Sequence, residues 1–158
     1  MSVTINTKIN GQSVSAVAEA STSLLEFLRD TLEMKGSKLC CNTGECGACT
    51  IICNGKPINS CVTMAADANG AEITTIEGLA DGDKLHPVQQ AFIDTGAVQC
   101  GYCTPGYIIS VKALLDRTTK PTAEDIEEAV SGNICRCTGY NKIVDAIHLA
   151  ADRIAGRA

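Results

Sequence analysis

Ten of the 158 residues are cysteines, and their grouping constrains this chain more than any other feature of its sequence. Six lie between Cys40 and Cys61, and the other four form two pairs, Cys100/Cys103 and Cys135/Cys137. The first residues show neither a charged leader nor an apolar signal core, so we expect a cytoplasmic protein whose thiols stay reduced. Clustered, reduced thiols favour metal or redox chemistry over disulfide bonds.

Charge and hydropathy argue against two classes of partner. The chain has 13 basic and 18 acidic residues, a net charge of −5, with no basic run, so we expect no nucleic-acid partner. No apolar stretch approaches the roughly 20 residues that a membrane-spanning helix needs, so we expect no membrane partner. Aromatic residues make up only 3 % of the chain, and the core must therefore come from Ala, Val, Ile and Leu.

The first half of the chain has the pattern of a small mixed sheet. Val3, Ile5 and Ile9 alternate with polar residues, which predicts a strand. The Asn-Gly pairs at 10–11 and 54–55 predict hairpin turns because both residue types tolerate positive φ. The further strands are expected near Ala48–Cys53, Pro57–Cys61 and Ile73–Ile76.

One helix is predicted within this sheet region. Ser23 and Glu26 have the spacing of a capping box, which marks the start of a helix. The pair Lys35-Gly36 is expected to end it. The apolar residues of its buried face are Leu24, Leu25, Leu28 and Leu32.

The second half of the chain has a helical pattern. Residues 78–87 contain Gly, Asp and Pro and are expected to form a connector. Thr122 and Asp125 form an acidic variant of the capping box. The predicted helices are Val88–Asp94, Pro105–Asp116, Ala123–Val130 and Tyr140–Ile154. Four helices of this length predict a small bundle.

The first cysteine group has the spacing of a plant-type [2Fe–2S] site, C-x4-C-x2-C with a distant fourth cysteine. The candidate ligands are Cys41, Cys46, Cys49 and Cys61. Gly44 and Gly47 let the loop wrap tightly, so that amide N–H groups can point at the sulfurs. The alternative is a structural zinc site, although zinc usually takes its ligands from two short Cys-x2-Cys arms.

The second cysteine group consists of two short pairs. The candidate ligands are Cys100, Cys103, Cys135 and Cys137. Each pair precedes a predicted helix, at Pro105 and near Tyr140, and two helix amino termini that face each other favour a negatively charged cluster. Arg136 adds a positive charge beside it. A lone Cys-x2-Cys pair is weak evidence, and the alternative is a helical bundle held together by zinc.

Four stretches together resemble the small iron–sulfur subunit of the molybdenum hydroxylases, the xanthine oxidase/dehydrogenase family. They are Cys41-Asn-Thr-Gly-Glu-Cys-Gly-Ala-Cys-Thr50, Ser60-Cys61, Gln99-Cys-Gly-Tyr-Cys-Thr-Pro-Gly106 and Gly132-Asn-Ile-Cys-Arg-Cys-Thr-Gly-Tyr140. The spacing between Cys103 and Cys135 also matches that family. The resemblance therefore covers nearly the whole chain.

This resemblance implies an α+β fold with one [2Fe–2S] cluster in each of two domains. It predicts an amino-terminal β-grasp ferredoxin-like domain over residues 1–78 and a carboxy-terminal four-helix-bundle domain over residues 79–158. The first cysteine group would bind the cluster of the first domain, and the second group the cluster of the helical domain.

The resemblance also implies partners and a direction of electron flow. It predicts a large subunit that binds molybdopterin in its cytosine dinucleotide form, a medium subunit that binds FAD, and a dimer of heterotrimers. In the family, the helical-domain cluster lies next to the molybdopterin, and the residues at the positions of Gln99 and Cys137 approach the pterin. The chain would conduct electrons between the molybdopterin and FAD or another acceptor, with no substrate turnover of its own.

Two cysteines depart from the family pattern. Cys40 stands where the family usually has Gly, and Cys53 falls on a predicted strand where an aliphatic residue is usual. We expect both to be bystanders, because a buried Cys behaves as a small hydrophobe. Tyr102, Tyr107 and Tyr140 are expected to pack near the clusters rather than to relay electrons.

Alternative functions stay open on the sequence. One is a free-standing ferredoxin-like carrier or an iron–sulfur sensor. Another is the same subunit in a hydroxybenzoyl-CoA reductase-type or CO dehydrogenase-type complex.

Overall fold

The amino-terminal half is built on one mixed sheet. In the computed structural model, which describes residues 1–157, five strands pair in the order β2-β1-β5-β3-β4. They are β1 (Ser2–Ile9), β2 (Gln12–Glu19), β3 (Thr50–Cys53), β4 (Lys56–Asn59) and β5 (Glu72–Thr74). β1 runs parallel to β5, whereas β1/β2, β3/β4 and β3/β5 are antiparallel. This is the mixed sheet that the sequence predicts.

Both Asn-Gly turns form the predicted hairpins. Asn10 and Gly11 have φ of 51° and 82°, and Asn54 and Gly55 have φ of 49° and 78°, as a tight two-residue turn requires. The strands themselves are shorter than predicted. β3 begins at Thr50 rather than at residue 48, and β4 ends at Asn59 rather than at residue 61, because the residues beyond these ends belong to the cysteine loops.

Helix α1 (Leu24–Glu26) continues as a wider π-helical turn, Phe27–Thr31. The capping box is confirmed: the Ser23 hydroxyl accepts from the Glu26 amide at 3.2 Å, and the Glu26 carboxylate accepts from the Ser23 amide at 2.9 Å. The predicted end at residues 35–36 is wrong. Glu33 takes a left-handed conformation with φ of 57°, which ends the helical backbone earlier.

The carboxy-terminal half is helical over the described residues. The helices are α2 (Pro87–Asp94), α3 (Thr104–Arg117), α4 (Ala123–Val130) and α5 (Asn141–Ile154). These bounds agree with the predicted ones to within one residue. The Thr122/Asp125 capping box is present, and a further one that the sequence did not indicate joins His86 to Gln89 at the start of α2.

Each half buries its own hydrophobic core, and the two halves touch along α3. Phe27 lies in the core under the sheet, and Phe92 lies in the core shared by α2, α3, α4 and α5. A smaller apolar cluster joins Ile52 of β3 to Ile109 and Ala113 of α3. No helix within residues 1–157 is long and apolar enough to cross a membrane.

Candidate metal centres

The first cysteine group lies on a tightly wound loop between α1 and β3. In the part of this loop that carries the cysteines, residues 40–49, three residues have positive φ: Asn42 at 59°, Gly44 at 83° and Gly47 at 68°. Cys61 reaches the same place from the other side, on the short 3-10 turn Ser60–Val62 that follows β4. The second hairpin therefore delivers the fourth thiol to the loop, as the sequence predicts.

The thiols of this first group lie in two pairs. Cys41 and Cys46 are within hydrogen-bonding reach of each other, and so are Cys49 and Cys61. Hydrogen bonds from the hydroxyl and the amide of Thr43 lower the pKa of Cys41 to about 5, which favours the thiolate that a metal binds. Burial raises the pKa of Cys61 to about 12.

Backbone donors point at these sulfurs. The Thr43 amide lies 3.4 Å from the Cys41 sulfur. Burial raises the pKa of Cys61 and of Cys46, and the backbone amides of Gly44 and Ala48, respectively, oppose that rise. Amide groups in this arrangement stabilise negative charge on a thiolate or a cluster.

Polar side chains fix the carbonyl groups of the same loop. Asn59 donates to the Gly44 carbonyl at 2.6 Å, Thr50 Oγ1 donates to the Gly47 carbonyl at 2.7 Å, and Ser60 Oγ donates to the Cys49 carbonyl at 2.7 Å. The loop is therefore held in shape by residues of β3, β4 and the 3-10 turn.

The second cysteine group joins the start of α3 to the loop before α5. Cys103 is the residue directly before α3 and lies within hydrogen-bonding reach of Cys135, while Cys100 pairs with Cys137. Burial raises the pKa of Cys135, but hydrogen bonds from Thr138 outweigh it and bring the pKa to about 7. Burial raises the pKa of Cys103 to about 12.

The predicted helix-dipole effect fits one pair better than the other. Cys103 immediately precedes α3, so its thiol lies at a helix amino terminus. Cys135 and Cys137 lie in the loop before α5, which begins only at Asn141. The thiolate of Cys135 is stabilised there by the Thr138 hydroxyl at 3.1 Å and the Thr138 amide at 3.4 Å.

The arrangement of the thiols in pairs is consistent with an iron–sulfur cluster. In residues 1–157, no three Cys, His, Asp or Glu side chains converge in the way that a single metal ion requires. A structural zinc ion needs four donors around one point. A [2Fe–2S] cluster needs two donors on each of two irons, and two groups of two thiol pairs fit that demand.

Cys40 and Cys53 lie outside these four thiol pairs. Cys40 is exposed, next to Cys41, whereas Cys53 ends β3 and packs against the core under the sheet. Cys53 therefore belongs to the sheet and its core rather than to either cysteine loop.

We expect Cys41→Ser to damage the first cluster, and Cys40→Ala and Cys53→Ala to leave its spectrum nearly unchanged. A ligand shifted to Cys40 would sit outside the turn in which Thr43 donates to Cys41. Visible circular dichroism and iron content measure the effect, with Cys40→Ala as the matched control one residue away. Retention of the cluster in Cys41→Ser together with its loss in Cys40→Ala would reverse the assignment.

Direct contacts between the two cysteine loops were not predicted from the sequence. The Ile134 amide donates to the Cys46 carbonyl at 3.0 Å, and the Asn133 side chain donates to the Gly47 carbonyl at 3.1 Å. The Tyr102 hydroxyl donates to the Leu39 carbonyl. These partners are far apart in the chain, so no local pattern could have indicated them.

The three tyrosines differ in their burial. Tyr107 is buried, and its hydroxyl donates to the Asn133 carbonyl at 2.5 Å. Tyr102 and Tyr140 are partly exposed, and the Tyr140 hydroxyl accepts from the Cys135 amide at 3.4 Å. Each hydroxyl therefore bonds to the backbone of a cysteine loop or of its neighbouring residues.

Comparison with known protein families and sequences divides the chain in the same way. Residues 7–79 match a family described as a 2Fe-2S iron-sulfur cluster binding domain, and residues 75–148 match a family described as a [2Fe-2S] binding domain. The chain is 48 % identical over 153 residues to the nicotinate dehydrogenase small FeS subunit of Eubacterium barkeri. That match covers 97 % of this chain and 98 % of the relative.

Solved structures give the same likeness. Quinoline 2-oxidoreductase from Pseudomonas putida 86 contains a chain with a TM-score of 0.92 and 38 % identity, covering 99 % of both chains. Aldehyde oxidoreductase from Desulfovibrio desulfuricans matches with a TM-score of 0.94 and 41 % identity, over 98 % of this chain but only 17 % of the other. The same fold therefore occurs both as a chain of this size and as part of a longer polypeptide.

Proposed function

The chain belongs to the small iron–sulfur subunits of the molybdenum hydroxylases, and on that premise we propose how its residues hold and connect two clusters. It is an electron-transfer subunit of an oxidoreductase and binds two [2Fe–2S] clusters. The observation that carries the proposal is the set of four thiol pairs, two in each cysteine group.

In this proposal, the four thiols of each cysteine group would together hold one cluster. The first cluster is held by Cys41, Cys46, Cys49 and Cys61, and the second by Cys100, Cys103, Cys135 and Cys137. When bound, each cluster supplies one-electron redox chemistry. Hydrogen bonds from Thr43 and Thr138 favour the thiolates of Cys41 and Cys135, one ligand in each group.

The two groups define two domains, residues 1–78 and residues 79–158. Their separate hydrophobic cores and the two family matches, which meet near residues 75–79, support this division. The parallel β1/β5 pair in the middle of the sheet supports a β-grasp fold for the first domain. The core shared by α2, α3, α4 and α5 supports a four-helix bundle for the second.

The second cluster faces a large molybdopterin-binding subunit in this proposal. Gln99, Cys100 and Cys137 are all exposed, so this group reaches the surface of the chain. The first cluster lies further along the electron path, toward a medium FAD-binding subunit of a dimer of heterotrimers. Relatives named for nicotinate, quinoline and aldehydes share this subunit, so its residues set an electron path rather than a substrate.

Iron content tests the ligand assignment. The purified chain is expected to hold about four irons and about four acid-labile sulfides, as two binuclear clusters require. Cys61→Ser and Cys103→Ser should each remove about half of the iron, and the electron paramagnetic resonance (EPR) signal that disappears should differ between them. About two irons in the unaltered chain, or stoichiometric zinc, would overturn the proposal.

The orientation toward molybdenum has its own test. In the assembled enzyme, Gln99→Ala should slow electron transfer out of the molybdenum site, or change the Mo(V) EPR signal, while both clusters stay loaded. The partly exposed Gln90 on α2, whose side chain donates to Asp94 of the same helix, offers a control in Gln90→Ala. An unchanged rate and an unchanged Mo(V) signal in Gln99→Ala would place Gln99 away from the pterin.

A further inference from the structure

Asn133 lies buried between the two cysteine loops, with only 6 % of its surface exposed. Its Nδ2 donates to the Gly47 carbonyl at 3.1 Å, and its Oδ1 accepts from the Ser110 hydroxyl at 2.8 Å. Its backbone carbonyl accepts from the Tyr107 hydroxyl, and its amide donates to the Val130 carbonyl at 2.9 Å. The residue is therefore held by the helical half and reaches across to the loop of the first half.

Two consecutive hydrogen bonds cross between the halves at this point. Asn133 bonds to Gly47, and the next residue, Ile134, donates its amide to the Cys46 carbonyl at 3.0 Å. Cys46 is a proposed ligand of the first cluster, and Cys135, directly after Ile134, is a proposed ligand of the second. A shift of Asn133 would therefore move a ligand of one cluster relative to a ligand of the other.

The backbones of the first cysteine loop, of α3 and of the Gly132–Asn133 segment approach closely here, with the Asn133 side chain between them. A Cβ atom on Gly47 would collide with Nδ2 of the Asn133 side chain and with the Gly132 carbonyl. A Cβ atom on Gly106 would collide with the Gly47 carbonyl. Because the loops are packed this closely, the position of one relative to the other depends on the Asn133 side chain that lies between them.

We infer that Asn133 is a positioning residue that sets the distance and relative orientation of the two clusters. The inference rests on the ligand sets proposed above. With both clusters bound, an electron that passes from one to the other would oxidise the first as it reduces the second, and the rate of this transfer would depend on their separation. Asn133 contributes to this step through the Gly47 and Ile134 backbones.

The test is Asn133→Ala in the full chain carrying both clusters. We expect a weaker magnetic splitting between the two reduced clusters in EPR spectra and slower electron redistribution between them after rapid partial reduction. We also expect faster hydrogen exchange at the Ile134 amide, because its bond to the Cys46 carbonyl loosens. Iron content should stay at the level of the unaltered chain.

Two further variants separate positioning from simple loss of stability. Ser110→Ala removes only the hydroxyl that orients the Asn133 side chain, and it should shift the same three measurements by a smaller amount. Thr7→Val removes a comparable buried hydrogen bond, from Thr7 to the Ala71 carbonyl at 2.8 Å, which touches neither cysteine loop. It should lower stability and leave the magnetic splitting unchanged.

The outcomes distinguish this inference from the ligand proposal. An unchanged splitting and an unchanged electron-transfer rate in an iron-replete Asn133→Ala chain would overturn the positioning role alone. An equal change of the magnetic splitting in Thr7→Val would also overturn the positioning role. If Asn133→Ala does not load both clusters, Ser110→Ala decides by the same measurements. Full iron content in both Cys61→Ser and Cys103→Ser would instead overturn the ligand sets on which the inference rests.

Discussion

Phe27→Ala is expected to lower the free energy of unfolding of the amino-terminal core by about 4 kcal/mol. Phe27 is fully buried, and the sequence contains just one other phenylalanine and no tryptophan. Its removal leaves a cavity in a core otherwise made of smaller side chains, and rigid neighbours collapse into such a space only in part. Urea unfolding of the variant and of the unaltered chain measures the difference.

The second phenylalanine provides the matching experiment. Phe92 is also buried, but in the helical core. Phe92→Ala should lower the free energy of unfolding of that core by about the same amount. Val17 on β2 is 59 % exposed, so Val17→Ala should change stability by no more than about 0.5 kcal/mol and serves as the control. A loss below about 1 kcal/mol in either phenylalanine variant would mean that its surroundings repack, contrary to the tight cores described here.

Gly106→Ala is expected to destabilise the chain by about 2 kcal/mol, although alanine is the better helix former. Gly106 lies in the first turn of α3, where alanine alone would be favourable. Its new Cβ atom would collide with the Gly47 carbonyl, which also accepts hydrogen bonds from Thr50 and Asn133. The loop cannot move away without breaking those hydrogen bonds. The free energy lost to the collision therefore exceeds the free energy gained from the better helix propensity of alanine.

Gly132→Ala is the control for this prediction. No atom lies within 4 Å of a Cβ at Gly132, and its φ is not in the left-handed region. The free energy of unfolding of the Gly132→Ala chain should stay the same or rise slightly, because alanine restricts the conformations of the unfolded chain. Urea unfolding and the magnetic splitting between reduced clusters are measured for both variants. If the Gly106→Ala chain is more stable than the unaltered chain and the magnetic splitting is unchanged, the first cysteine loop moves away from α3 without loss of stability, contrary to this prediction.

The features that sequence reasoning predicted well are those with a local cause. The Ser23/Glu26 and Thr122/Asp125 capping boxes and the two Asn-Gly turns each depend on residues within a few positions of one another. The grouping of the cysteines was visible for the same reason, since three thiols of the first group lie in one short loop. For the first group, spacing alone therefore favoured iron–sulfur chemistry.

The features that the sequence did not predict depend on distant parts of the chain. The end of α1 is set by a π-helical turn and by the left-handed Glu33, for which no Gly or Pro gave a signal. The bond from Asn133 to Gly47 spans 86 positions, and neither periodicity nor capping describes such a contact. The pairing of Cys103 with Cys135 likewise follows from how α3 and the loop before α5 pack, not from their spacing.

The hydrogen bonds from residues 133 and 134 to the first cysteine loop also impose an order on the synthesis of the protein. Cys46 and Gly47 leave the ribosome long before Asn133 and Ile134, and domains generally fold as they emerge. The sheet and α1 can form early, but the carbonyls of this loop lack their last partners until residues 133 and 134 have been made. The cysteine loop that is synthesised first is therefore among the last parts of the molecule to reach its final conformation.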